Sequence, residues 1–389
     1  MPLVVLGGAR KDRLLLEGSI SENFLDNIMK CLHFIFFFVL GAAQAQANHQ
    51  AKPQDATVAL IQAFDSHDVV MLGEWHADKQ EHEWLRKLVS APEFADRVDD
   101  IVMEFGNALY QKSVDRYVSG DDIPLEQVQK AWRNTVGGLG PPSPVYALLY
   151  QAVRESNLKR RGKHQMRILC GDPYIDWDKV KDMEDVGPYL GNRDQWYAEV
   201  VKSEVLAKKH HALLIAGGSH FLRWDGPGYI ERELRAAGAR TFLVAFGTNA
   251  VGNYDDLDKR FDSWPRPAIV SLADNWVGDL PAMPVLFGGT EAATALKLAQ
   301  VADALLYVAP RDLLRHVFMP RSELDGTAYG KEIARRTTIE FGQPLKLHDE
   351  AEVPEFERPQ PQPNSEGPPE LPSMPKSINA PLPPRPPSQ

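Results

Sequence analysis

The chain has 389 residues, a formal net charge of −10 and 43% hydrophobic residues, which is ordinary for a globular protein. The acidic balance argues against a nucleic-acid partner, because Lys/Arg clusters interleaved with aromatic residues are absent from the sequence. Residues 51–353, about 300 in number, are enough to bury a sizeable core, so we expect a single domain there.

A secretory signal peptide is predicted at residues 29–47. A lysine precedes the mostly apolar stretch 31–40, and small residues follow it, which is the order typical of such signals. We predict cleavage after Ala45 or Ala47 and export to the periplasm or the cell exterior. Residues 1–28 are then an over-called N-terminal extension. Because no cysteine stands at the cleavage point, we expect no stable membrane anchor after cleavage.

Seven short apolar runs predict strands, and longer amphipathic stretches between them predict helices. The predicted strands are 69–72, 101–103, 167–169, 212–215, 241–245, 268–271 and 304–308. The clearest helical patterns are 80–90, 145–159 and 195–210. Alternation of this kind is typical of parallel βαβ units. The predicted fold is therefore an α/β domain with a mostly parallel central sheet flanked by helices.

Ionisable residues follow four successive predicted strands. Two Gly-x-x-His motifs supply Glu74 and His76 after the first strand and His220 after the fourth. Glu104 follows the second strand, and Asp172 follows the third. Since ligands of such folds bind outside the carboxyl ends of the strands, we expect these residues to share one polar site.

Imidazole and carboxylate groups are the usual tools of acid–base chemistry and metal binding. If a divalent metal is bound, the expected ligands are His76, Glu104 and His220, and Glu74 is either a further ligand or a general base. Nitrogen and oxygen donors of this kind suit Zn²⁺, Mn²⁺ or Co²⁺. Without a metal, His76 is the expected base. His82 lies in the helix after the first motif and faces either the site or solvent.

Residues 354–389 are rich in proline and are predicted to form an extended, disordered tail. Such a segment could bind a partner, either a groove on another protein or the cell wall. The simpler expectation is a solvated tail whose deletion after Val353 leaves activity unchanged.

The motifs resemble those of the Tiki superfamily, which includes ChaN-like haem-binding proteins, TraB-type proteins, Tiki metalloproteases and erythromycin esterases. The resemblance spans roughly residues 68–307. It is carried by Met71-Leu72-Gly73-Glu74-Trp75-His76, His82, Met103-Glu104 and Ala216-Gly217-Gly218-Ser219-His220. The spacing of the first motif is similar to ChaN and Tiki proteins, whereas Gly171-Asp172 is similar to the esterases. The chain lacks the cysteine of the ChaN lipoprotein signal.

Three functions follow from the site and the resemblance. The first is an exported hydrolase that activates water to cleave an ester or peptide bond in a small-molecule or peptide substrate. The second, implied by the resemblance to ChaN, is a haem- or iron-binding protein without catalytic activity. The third is a binding protein that has kept the fold with a degraded site.

Overall fold

The computed structural model describes residues 49–137, 142–247, 255–287, 296–345, 347–354 and 379–384. The predicted extension 1–28 and the signal peptide 29–47 lie outside the described residues, as does most of the proline-rich tail. Ala51–Gln389 forms one compact unit.

An eight-stranded, mostly parallel sheet organises this unit, in the order β1-β7-β8-β6-β2-β5-β3-β4. Its strands are β1 Gln54–Asp55, β2 Val69–Glu74, β3 Asp100–Asn107, β4 Arg167–Asp172, β5 Ala212–Gly217, β6 Thr241–Phe246, β7 Ala268–Ser271 and β8 Ala304–Tyr307. Neighbours from β8 through β4 pair in parallel, whereas β7 pairs antiparallel with β8 and β1. In a separate two-stranded sheet, β9 Arg315–Val317 pairs antiparallel with β10 Glu352–Pro354. All seven predicted strands and the predicted fold class are confirmed.

Helices cover both faces of the sheet. The α-helices are α1 Ala56–Ala63, α2 Lys79–Ser90, α3 Pro92–Ala95, α4 Gln111–Ser119, α5 Leu125–Val128, α6 Lys130–Arg133, α7 Pro144–Lys159, α8 Met183–Gly191, α9 Arg193–Val200, α10 Tyr229–Ala236, α11 Asp255–Phe261, α12 Ala282–Phe287, α13 Leu298–Val301 and α14 Ala328–Phe341. A π-turn at Val201–Val205 and a 3-10 turn at Leu206–Lys208 continue α9, so the predicted helix 195–210 is irregular at its end. Within the described residues, no helix is both long and apolar enough to cross a membrane.

Burial on both faces explains why β2 is a continuous apolar run. Its six residues are all buried. Val70 and Leu72 pack into one hydrophobic cluster, whereas Val69 and Met71 pack into another. Side chains alternate across a strand, so the two clusters lie on opposite faces of the sheet, as expected for parallel strands covered by helices.

One part of the tail differs from its prediction. Residues 379–384 contact the rest of the compact unit, where a solvated tail is predicted. The physical reason is that the carbonyl groups of Ala380 and Pro383 accept hydrogen bonds from side chains of the unit.

Candidate functional site

The carboxyl ends of three adjacent strands, β2, β5 and β3, bring four of the predicted residues together. The Nδ1 atom of His76 lies 3.7 Å from Oε1 of Glu74, and its Nε2 atom lies 3.6 Å from Oε2 of Glu104. The Nε2 atom of His220 lies 3.7 Å from Oε1 of Glu104. Glu104 is therefore placed between the two imidazoles, as the strand-end pattern predicts.

Glycine at position 217 allows this close approach. A Cβ atom added to Gly217 would lie 2.8 Å from Nε2 of His76 and 3.5 Å from Oε2 of Glu104. The backbone N–H of Gly217 also donates a hydrogen bond of 2.7 Å to Oε2 of Glu104. The second Gly-x-x-His motif thus supplies both the space for one imidazole and a backbone donor to the central carboxylate.

Glu74 is buried, and the oxygen that faces His76 also has two hydrogen-bond partners. The hydroxyl of Tyr146 lies 2.7 Å from Oε1 of Glu74, and Nε2 of His82 lies 3.0 Å from the same atom. Burial raises the pKa of Glu74, but the charges of His82 and His76 outweigh burial and lower it to about 2. Of the two orientations open for His82, the structure shows the one facing the site, with the side chain buried.

Arg193 at the start of α9 ties two of the predicted carboxylates together. Its Nη2 atom donates to Glu104 over 2.6 Å, and its Nε atom donates to Asp172 over 3.0 Å. Burial raises the pKa of Glu104, but His76 and Arg193 outweigh burial and hold it well below the usual range. Burial raises the pKa of Asp172 to about 6, against the effect of Arg193. Asp172 is thus a buried ion-pair partner, and Arg193 is a residue that sequence reasoning missed.

His220 is held in its charged form by two carboxylates. Its Nδ1 atom lies 2.5 Å from Oδ1 of Asp194, the residue after Arg193. Burial lowers the pKa of His220, but hydrogen bonding to Asp194 and Glu104 outweighs burial and raises it to about 9. Because that value lies above neutral pH, His220 carries a proton at pH 7.

The imidazole of His76 lines the cavity, and 42% of its side chain is exposed. Its Nδ1 atom is nevertheless buried and makes no hydrogen bond. Burial lowers the pKa of His76, but the charge of Glu104 and the interaction with Glu74 outweigh it and raise the pKa above 6.5. The ring packs edge-on against Phe105, with ring centroids 5.2 Å apart.

A cavity of about 350 Å³ opens above these residues. One side is polar and includes His76, Glu104, Arg193 and His220. Another part of the lining, the apolar wall, comes from the chain after β8 and is mostly apolar. That wall comprises His316, Val317, Phe318, Met319, Leu324, Leu345, Leu347 and His348.

Contacts of β9 with residues that follow the first motif hold the apolar wall at the site. The backbone N–H of Val317 donates to the carbonyl of Ala77 over 3.0 Å. The backbone N–H of Arg315 donates to Oε1 of Gln80 over 2.9 Å. The wall was not predicted, because β9 has only three residues and no periodic pattern marks it.

The geometry does not support the predicted divalent-metal centre. In the part of the chain that the structure describes, no group of three or more His, Cys, Asp or Glu side chains could hold a metal ion. Both oxygens of Glu104 already accept hydrogen bonds, one from Arg193 and one from the Gly217 N–H. Arg193 and the Gly217 N–H therefore compete with Zn²⁺, Mn²⁺ or Co²⁺ for the oxygens of Glu104, and the ligand assignment of His76, Glu104 and His220 stays a prediction.

Residues 60–163 match a family model described as "Haem-binding uptake, Tiki superfamily, ChaN". The resemblance to this family is confirmed over that segment. The segment contains Glu74, His76, His82, Glu104 and Tyr146, whereas Arg193 and His220 lie beyond it. No curated protein matches the sequence significantly.

Three solved structures show distant likeness. A protein from Bacillus cereus is 14% identical with a TM-score of 0.40, and the match covers 68% of this chain and 96% of that one. The type III effector HopBA1 is 15% identical with a TM-score of 0.35, covering 53% and 89%. ChaN of Campylobacter jejuni, whose structure is described with the words "cofacial heme binding", is 10% identical with a TM-score of 0.30. The match covers 49% of this chain and 85% of that one.

Proposed function

We propose that this chain is an exported hydrolase in which His76 activates a water molecule to cleave an ester or peptide bond. The observation that carries the proposal is the placement of His76. Its accessible imidazole lines the cavity between two buried carboxylates, Glu74 and Glu104, and a second, protonated imidazole lines the same cavity. A base beside a fixed cation is the arrangement that acyl transfer to water requires.

The reaction proceeds in two steps. His76 takes a proton from water as the oxygen of that water bonds to the carbonyl carbon of the substrate. The imidazolium of His220 stabilises the negative charge that develops on the carbonyl oxygen. The carbon–oxygen or carbon–nitrogen bond to the leaving group then breaks, and His76 returns its proton to that group. The products are a carboxylic acid and an alcohol or amine.

Arg193 and Glu74 have supporting roles in this scheme. Arg193 holds Glu104 in place through a 2.6 Å hydrogen bond. Glu74 is fixed by Tyr146 and His82, and its negative charge favours the imidazolium that forms when His76 accepts a proton. The apolar wall suits a substrate with a hydrophobic group next to the bond that is cleaved.

The first test is hydrolysis of a panel of 4-nitrophenyl esters and fluorogenic peptides by the purified protein and by His76→Ala. General-base catalysis contributes about 10²- to 10⁴-fold, so we expect kcat to fall by about that factor. His164→Ala is the matched control, because His164 is a half-exposed histidine paired with Asp99. Equal turnover by the wild type and His76→Ala, or no turnover of any substrate, would contradict the proposal.

Haem binding is the second candidate, favoured by the description of the matching family model. The cavity fits this reading, because four imidazoles line it, those of His76, His220, His316 and His348, beside an apolar wall. Imidazole is a common axial ligand of haem iron, and the macrocycle prefers apolar surroundings. Titration with haem, followed by absorption, tests it: a stoichiometric band that His76→Ala or His348→Ala removes, without ester or peptide turnover, would favour this candidate.

A further inference from the structure

Two side chains of the compact unit bind the backbone of the proline-rich segment 379–384. The Nδ2 atom of Asn192 donates a hydrogen bond of 2.9 Å to the carbonyl oxygen of Ala380. The hydroxyl of Tyr174 donates another to the carbonyl oxygen of Pro383. Both contacts involve carbonyl groups, which are the hydrogen-bonding groups that a proline-rich backbone retains.

Aromatic side chains surround these contacts. The ring of Tyr174 packs edge-on against Trp196 and Tyr189, with centroids 5.0 Å and 6.1 Å away. Leu382 packs against the buried cluster that contains Tyr174. The segment thus packs the apolar side chain of Leu382 against the buried core, at a position between its two hydrogen-bonded carbonyls.

Covalent geometry makes the segment a suitable ligand for such a surface. Proline fixes its own φ angle near −65° and pushes the residue before it towards extended conformations. In the sequence Ala380-Pro381-Leu382-Pro383-Pro384, each of the first four residues is itself proline or is followed by proline. These constraints favour polyproline II, which has three residues per turn and a rise of about 3.1 Å per residue.

The period of polyproline II matches the spacing of the two hydrogen-bonded carbonyls in the sequence. The carbonyls of Ala380 and Pro383 are three residues apart, so in polyproline II they lie on one side of the helix, about 9 Å from each other. Asn192 and Tyr174 contact these two carbonyls. The pattern is that of proline-rich ligands on aromatic grooves, in which a preformed helix binds with little loss of conformational entropy.

We propose that Tyr174, Tyr189, Asn192 and Trp196 form a polyproline II-binding groove, and that its ligand is segment 379–384 of the same chain. Covalent attachment favours this occupant over a second copy. The 24 residues from 355 to 378 tether the segment to the unit. Such tethering gives an intramolecular ligand an effective concentration on the order of millimolar, above that of a separate chain in dilute solution.

Competition with a free peptide tests the groove. A fluorescein-labelled peptide of residues 377–386 is titrated into the full chain and into a variant lacking 379–389, and its anisotropy is followed. We expect the peptide to bind the deletion variant at least about tenfold more tightly, because the groove of the full chain is occupied. Leu382→Ser in the full chain is expected to open the groove in the same way without removing residues. A peptide of the same composition in scrambled order should not bind.

Variants of the groove identify the site of binding. In the deletion variant, Tyr174→Phe removes one donor and should weaken peptide binding, whereas Tyr229→Phe, an exposed tyrosine on α10, should leave it unchanged. Equal peptide binding to the full chain and the deletion variant, or binding to neither, would overturn the proposal. A dimer of the full chain that disappears on deletion of 379–389, measured by light scattering, would show instead that a second copy supplies the segment.

Discussion

Two of the imidazoles that line the cavity, those of His76 and His220, need opposite protonation states for hydrolysis. His76 must be neutral to accept a proton, whereas His220 must be charged to stabilise the carbonyl oxygen. The carboxylates around His76 raise its pKa above 6.5, and those around His220 raise its pKa to about 9. We therefore expect kcat/KM to rise with pH as His76 loses its proton and to fall near pH 9 as His220 loses its own. Rates measured from pH 5 to 10 check this, and a profile without the alkaline fall would contradict the role of His220.

Asp194 sets the alkaline limit of that profile. Asp194→Asn replaces the carboxylate that lies 2.5 Å from Nδ1 of His220, so the imidazolium loses part of its stabilisation. We expect the alkaline limb to move to lower pH, towards the ordinary histidine value, while the acidic limb stays in place. Asp225→Asn, which changes an exposed carboxylate, is the control. A limb that does not move in Asp194→Asn would show that another group titrates near pH 9.

Sequence reasoning found the residues at strand ends but, apart from His82, missed those on helices. Glu74, His76, Glu104 and His220 each follow a predicted strand, and parallel strands bring their carboxyl ends together. Arg193 begins a helix 21 residues after Asp172, and its contacts depend on how that helix packs. In the sequence, no local pattern distinguishes a buried arginine at the start of an amphipathic helix from an arginine exposed to solvent.

At the scale of elements, the sequence predicted seven strands but not their order. The site depends on that order, because β5 lies between β2 and β3 and carries the second motif to both. The apolar wall depends on β9, which contacts Ala77, the residue after the first motif, across a long sequence separation. Hydrophobic periodicity predicts only local structure. It therefore predicts neither the strand order nor the position of the apolar wall.

The end of β5 offers a test that leaves every ionisable residue in place. Gly217 has φ −51° and ψ 138°, so its backbone conformation accommodates alanine. The added Cβ would lie 2.8 Å from Nε2 of His76 and must displace that ring. Because small displacements of a catalytic group can cost about 10²-fold, we expect Gly217→Ala to lower kcat by about that factor with little change in Tm.

Gly228→Ala is the matched control for that variant. A Cβ atom at position 228 makes its nearest contact at 3.4 Å, an ordinary van der Waals distance. Wild-type activity in Gly217→Ala would mean that the position of the His76 ring is not critical for the reaction.

At the scale of the whole molecule, α14 joins the apolar wall to the body. Arg336 donates to the carbonyl of Arg133 over 2.9 Å, and Arg335 donates to the carbonyls of Val180 and Trp177. Hydrogen bonds from a charged donor are among the stronger ones in proteins. The two arginines therefore link α14 to one segment that precedes β4 in the chain and to another that follows it.

Two glutamates of α14 should affect stability in opposite directions. Burial raises the pKa of Glu340 from its ordinary value of 4.5 to about 7. The unfolded chain therefore loses this proton more readily than the folded protein, and the folded state is destabilised as the pH rises from 4.5 to 7. Glu340→Gln should therefore raise the free energy of unfolding at pH 8 and change it little at pH 4. Burial raises the pKa of Glu332, but Arg335 and Arg336 outweigh burial and lower it. Glu332→Gln should lower the free energy of unfolding at pH 8, and its effect should shrink as the pH falls below 4.5.

Denaturant titrations at the two pH values measure these differences. The two substitutions have the same chemistry on the same helix, so each serves as the control for the other. Destabilisation of the same size in both variants at pH 8 would show that the ionisation of Glu340 is not costly in the folded protein.

The hydrogen bond between Glu104 and the Gly217 N–H joins residues 113 positions apart in the chain. Closing so long a loop is entropically unfavourable, and folds that depend on such distant pairings fold slowly. Until β5 inserts between β2 and β3, Glu104 lacks its backbone donor and the two Gly-x-x-His motifs are separate. The charged residues of the cavity thus come together only when the central strands are in place. Binding of a ligand in the cavity would therefore indicate that folding is complete, and would not direct the folding process.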